Sequence, residues 1–162
     1  MTAENASYEL TVDQTDYQFF DGYTTETLSY NNQGYLGNTI KIKNGNTFYP
    51  IITNKLDENT TVHWHGLEIN GQNDGAADPI AIIEPGESKT YELEVDQPAR
   101  TIWYHPHAHG LTAQQVFNGL AGMIIIEDEF SNTLGLPSNY GVNDIPIILQ
   151  AKLFDTDGNL YH

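Results

Sequence analysis

The stretch NTIKIKNGNTFYPIITN, residues 38–54, constrains the fold more than any other. Ile40 and Ile42 alternate with Lys41 and Lys43, which is the two-residue period of a strand with one buried face. Asn44-Gly45-Asn46 marks a turn, and a second β-rich run follows at once. Pro50 sits inside that second run. It has no N–H to give to a ladder, so it predicts an edge or a bulge.

Similar short runs recur along the chain between turn signals. They are YELTVD (8–13), YTTETLSY (23–30), TTVHWHG (60–66), SKTYELEVD (88–96), RTIWYH (100–105), LAGMIIIED (120–128) and DIPIILQ (144–150). Each reads as a strand. GLTAQQVFNG, residues 110–119, leaves room for one short helix. With no regular helices between the strands, the pattern predicts an antiparallel sandwich or barrel rather than a parallel α/β sheet. The length of 162 residues suits one domain with a real core. The end, FDTDGNLYH (154–162), shows no obvious packing partner, and residues 151–162 read as the start of a linker after a domain spanning 1–150.

Composition excludes several classes of function. The chain has no cysteine, so disulfides, a thiolate nucleophile and a Cys-held metal are ruled out. A net charge of −16 with only six Lys and Arg repels phosphate backbones, so nucleic-acid binding is not expected. The same charge is compatible with attracting cations, although solubility alone is the more common reason for it. The longest apolar run, GMIIIE, is far short of the ~20 residues of a membrane span. MTAENASYEL carries neither a basic region nor an apolar one, so an export signal is either missing or already removed.

The chemistry lies in HWHG (63–66) and YHPHAHG (104–110), which hold five of the six histidines. Residues two apart on a strand share a face, so His63 and His65 project together while Val62 and Trp64 face the other way. The same holds for His105 and His107 if the chain stays extended there. Pro106 favours that, because it biases His105 towards extended geometry. Two such pairs converging on one point form an imidazole-rich metal site. A single His-x-His often does no more than hydrogen-bond. Two of them, each beside an aromatic residue and each followed closely by glycine, make that bland explanation harder to sustain. Imidazole ligation suits copper, zinc, iron or nickel, and a hydrolytic zinc centre is open on these grounds. A cupin arrangement is disfavoured, because Glu68 follows the first pair too closely and no second cupin motif is present.

Residues 36–75 and 82–128, which contain HWHGLE and WYHPHAHG, resemble the first cupredoxin domain of the multicopper oxidases, nearest the bacterial laccase and cuprous-oxidase group. The resemblance covers roughly residues 20–150. It implies an all-β, Greek-key sandwich or barrel of cupredoxin type. It also implies copper. In that family O2 is reduced to water at a trinuclear cluster held by four His-x-His pairs, two of them from the first domain. His63 would then ligate the type 2 ion, and His65, His105 and His107 the type 3 pair. His109 matches a non-ligand position. Asp74, in NDGAADP, matches an acidic residue that assists proton delivery. A DG turn explains it equally well.

The chain also departs from the family. The type 1 copper site needs a cysteine, and the remaining cluster histidines come from a last domain; this sequence has neither. Asn38 stands where proline is usual, and Ala151 where aspartate is common. The expectation is therefore the N-terminal part of a larger oxidase, inactive alone. Its partners would be the C-terminal cupredoxin domains of the same oxidase or another subunit, O2, and a phenolic or metal-ion substrate. The uncovered histidine face would favour self-association. Two other readings compete. One is a non-catalytic cupredoxin-like module, of the kind in relatives that have lost their ligands, although all four ligands remain here. The other is a free-standing mononuclear zinc or iron enzyme.

Overall fold

A computed structural model describes residues 7–76 and 79–161. Residues 1–6, Ala77 and Asp78 of NDGAADP, and His162 lie outside them. The chain runs through nine strands, β1 Ser7–Tyr17, β2 Thr25–Tyr30, β3 Ile40–Lys43, β4 Thr47–Asn54, β5 His63–His65, β6 Ser88–Thr90, β7 Leu93–Glu94, β8 Arg100–His105 and β9 Gly122–Glu127. The described residues also form two short α-helices, α1 Thr112–Asn118 and α2 Glu129–Asn132, and a 3-10 turn at Pro79–Ala81. The helix expected between His109 and Leu120 is thus α1.

The strands form two sheets. One has the order β2-β1-β4-β6, with β7 also on β4; the other has the order β3-β9-β8-β5. This is the all-β sandwich expected, with one correction. The pairs β1–β4 and β3–β9 are parallel, so the sheets are mixed rather than antiparallel. Parallel neighbours need a crossover, and here the chain supplies it by passing from one sheet to the other. The turn at Asn44–Asn46 makes such a passage. It is a corner between sheets, with Gly45 at φ +86, and β3 does not pair with β4.

Burial follows the period of two. Ile40 and Ile42 of β3 face inward, as do Val62 and Trp64 around β5 and Tyr104 of β8. With Phe48, Ile52, Tyr91, Leu93 and Ile124 they form one core between the sheets. Pro50 lies inside β4 rather than at an edge. On one side β4 runs beside β1, and on the other the partner is split, β7 covering Thr47 and Phe48 and β6 covering Ile51 to Thr53. Pro50 falls at that break, where its carbonyl still accepts from Tyr91 N–H at 2.9 Å. The same break divides the run 88–96, expected as one strand, into β6 and β7.

The last expected strand, 144–150, is not formed. Among the described residues its only strand-like pairing is an isolated bridge, Tyr140 with Asp144, and Ile145, Ile147 and Leu149 are exposed. No neighbouring strand among the described residues offers its N–H and C=O groups there. The end of the chain, by contrast, does find partners. Phe154 packs on Phe19 and Phe20 with ring centres 5.1 and 4.9 Å away, and Thr25 Oγ1 donates to the Gly158 carbonyl at 2.6 Å.

Candidate metal centre

The two histidine stretches are neighbours in one sheet. β5 and β8 are antiparallel, with His63 opposite His105, Trp64 opposite Tyr104 and His65 opposite Trp103. Directly opposed residues share a face. The ladder therefore buries Trp64 and Tyr104 in the core and turns His63, His65, His105 and Trp103 to the other side. One ring nitrogen from each of His63, His65 and His105 lies within 4.8 Å of the others. The ring of His107 stands 5.5 Å from that of His63 and 6.2 Å from that of His105, centre to centre. The structure thus gathers three of the expected histidines into one nitrogen cluster and sets the fourth against it. His109 is exposed.

Hydrogen bonds decide which ring nitrogen is free. His63 Nδ1 is 2.8 Å from the Asp74 carbonyl, and His105 Nδ1 is 2.8 Å from the Pro106 carbonyl. A carbonyl only accepts, so both Nδ1 atoms carry the proton and both Nε2 atoms hold a lone pair. His65 Nδ1 lies 3.2 Å from His105 Nε2 and so donates to it in the metal-free chain. His107 Nδ1 is buried and has no partner among the described residues. An orphaned buried nitrogen beside lone pairs already aimed outward is a donor set that fits a bound cation. With no thiolate in the chain, the set is all imidazole, which suits copper, zinc, iron or nickel.

Burial keeps the His105 ring neutral. Burial lowers the pKa of His105 from 6.5 to about 4; its bond to Pro106 opposes this, and His63, His65 and His107 reinforce it. The Trp103 ring stacks on His105 with centres 3.9 Å apart and planes at 27°. Asp74 sets its carboxylate beside the His63 ring, with Oδ1 3.2 Å from His63 Nδ1. Its carbonyl also accepts from Trp64 N–H at 3.3 Å. The turn that carries it admits only glycine at position 75, since φ is +69 and a Cβ would meet the Val62 carbonyl at 1.7 Å.

Several residues that shape the site carry no signal in the sequence. Thr61 Oγ1 accepts from His107 N–H at 2.7 Å, and Gln115 is fully buried behind it. A threonine in a strand or a glutamine in a helix is too common to stand out. Only the WYH order leading into the His105–His107 pair could have pointed to Trp103.

The chain matches the family model described as multicopper oxidase over residues 11–131. It is 49% identical over 148 residues to the multicopper oxidase mco of Staphylococcus aureus, which covers 91% of this chain and 32% of that protein. It is 38% identical over 149 residues to the cell division protein FtsP of Escherichia coli, covering 92% of this chain and 31% of that one. A crystal structure of a laccase from Pediococcus acidilactici superposes with a TM-score of 0.89 at 39% identity, over 96% of this chain and 33% of that chain. The chain spans about a third of the length of the curated relatives it matches. Fold, histidine cluster and sequence agree, and the chain belongs to the multicopper oxidase family.

Proposed function

We propose that this chain supplies half of the histidine ligands of a trinuclear copper cluster, completed by cupredoxin domains in the remaining two thirds of a full-length oxidase. On this reading His63 holds the type 2 ion, and His65, His105 and His107 the type 3 pair. The whole enzyme takes four electrons from phenols or reduced metal ions and, with four protons, converts O2 to two waters. Copper bound here supplies one-electron redox chemistry and Lewis acidity.

The chain's own residues do the positioning. The bonds from His63 to Asp74 and from His105 to Pro106 fix the tautomer of each ring and present Nε2. Burial keeps His105 neutral and therefore able to ligate. The carboxylate of Asp74, beside His63, is placed to hold and pass a proton next to the cluster. The reading takes residues 1–150 as one cupredoxin-like domain and 151–162 as the first part of a linker, which Phe154 anchors on Phe19 and Phe20.

The observation that carries this reading is the convergence of His63, His65 and His105 nitrogens within 4.8 Å, with the orphaned His107 beside them. The test is complementation. The chain alone, loaded with copper, should consume no O2 with a phenol. Supplied with the C-terminal domains of a close relative, it should. Absence of uptake from the copper-loaded, assembled protein would overturn the proposal. The second reading is a non-catalytic cupredoxin-like module. The intact set His63, His65, His105 and His107 favours the oxidase.

A further inference from the structure

We propose that Thr61 and Gln115 are positioning residues for His107, the one histidine of the cluster that the sheet does not hold. The inference rests on the copper reading above. β8 ends at His105, and Pro106 has no N–H to continue the ladder with β5. His107 therefore lies beyond the pairing that places the other three. Its ring has no anchor of its own either, since Nδ1 lacks a partner among the described residues, whereas His63 and His105 are each fixed by a carbonyl.

A closed circuit of hydrogen bonds does the holding instead. His107 N–H donates to Thr61 Oγ1 at 2.7 Å. One residue on, the Ala108 carbonyl accepts from both the N–H and the hydroxyl of Thr112, at 3.1 and 2.9 Å, which starts α1. One turn along α1, Gln115 Oε1 accepts from the Thr60 hydroxyl at 2.9 Å, and the next residue is Thr61. Gln115 Nε2 uses both its hydrogens on the same loop, to the Asn59 carbonyl at 2.8 Å and Glu58 Oε1 at 2.9 Å. Thr60, Thr61 and Gln115 are buried. A buried amide side chain is tolerated when its polar atoms are bonded, and one bonded at every hydrogen has a single orientation. The circuit therefore ties the loop leading into His63 to the turn carrying His107.

The test uses three variants of the chain. Thr61→Val keeps the shape and removes the acceptor, Thr61→Ser keeps the acceptor, and Gln115→Met breaks the circuit on its far side. In the metal-free chain, amide hydrogen exchange should speed up at His107 in Thr61→Val and Gln115→Met. It should stay unchanged in β9, and Thr61→Ser should restore protection at His107. Copper titration should show a loss of ~10–100-fold in affinity for Thr61→Val. In a His107→Ala background the same change should cost nothing further. Unchanged exchange at His107, or an equal affinity loss without His107, would overturn the inference. Failure of the copper reading would look different: the parent chain would take up no copper, while the exchange at His107 would still report the circuit.

Discussion

The imidazole of His63 donates from Nδ1 to the main-chain carbonyl of Asp74, while the carboxylate of the same residue stands 3.2 Å from that nitrogen. One residue thus touches His63 in two ways, and mutation can separate them. The main-chain contact depends on Gly75, whose φ of +69 and 1.7 Å approach to the Val62 carbonyl leave no space for a side chain. Gly75→Ala should lower stability by more than ~1 kcal/mol, because strain from a positive φ adds to a backbone clash. It should also weaken copper binding by releasing His63. Urea unfolding of the metal-free chain checks the first effect and a copper titration the second.

Asp74→Asn removes the charge and leaves the carbonyl that orients His63. Copper content should therefore match the parent. Turnover of the assembled oxidase should fall by ~10²-fold or more, the usual worth of a placed proton donor or acceptor. Oxygen uptake and copper analysis on the same preparation make the comparison. Equal turnover would reduce Asp74 to a turn residue.

Acid should undo the histidine cluster. Unfolded, His105 takes a proton near 6.5; folded, burial and the three neighbouring imidazoles delay this to about 4. Between those values the unfolded chain binds a proton that the folded chain refuses. Stability from this group is thus complete above pH 6.5 and is lost as the pH falls towards 4. Carboxylates titrate at the lower end of the same window, so the informative quantity is a difference. The urea midpoint of the parent should fall more steeply between pH 6.5 and about 4 than that of His105→Asn. Parallel slopes would contradict the assignment.

The sequence made the site more legible than the fold around it. Alternation placed Val62 and Trp64 inward and the His63–His65 pair outward, and the ladder opposite His105 agrees. Local pattern does not encode which strands become neighbours. Hence the parallel pairs β1–β4 and β3–β9, and the corner at Gly45, emerged only in three dimensions. Pattern also misleads where a partner is missing. IPIILQ has the composition of a strand, yet among the described residues nothing pairs with it. The supports of His107 stayed hidden for another reason. Thr61 and Gln115 act across 46 and 55 residues of sequence, to His107 and Thr60, and no local spacing announces such contacts.

The exposed segment around Ile147 and Leu149 leads to a prediction about association. Ile147, Ile148 and Leu149 line an apolar groove together with Ile102, Trp103, Val116 and Met123. Trp103 also stacks on His105, so the groove and the histidine face are continuous. Contiguous apolar surface of this kind is usually covered by another protein surface. Without the remaining domains, a second copy of the chain is the available cover. Sedimentation should therefore show association that grows with concentration, accompanied by a blue shift of tryptophan emission as Trp103 loses water. Ile147→Ser combined with Leu149→Ser should reduce both, while leaving the core strands and the copper titration unchanged, since neither residue touches a ligand histidine. A parent chain that sediments as a monomer at high concentration would show that the groove does not drive association.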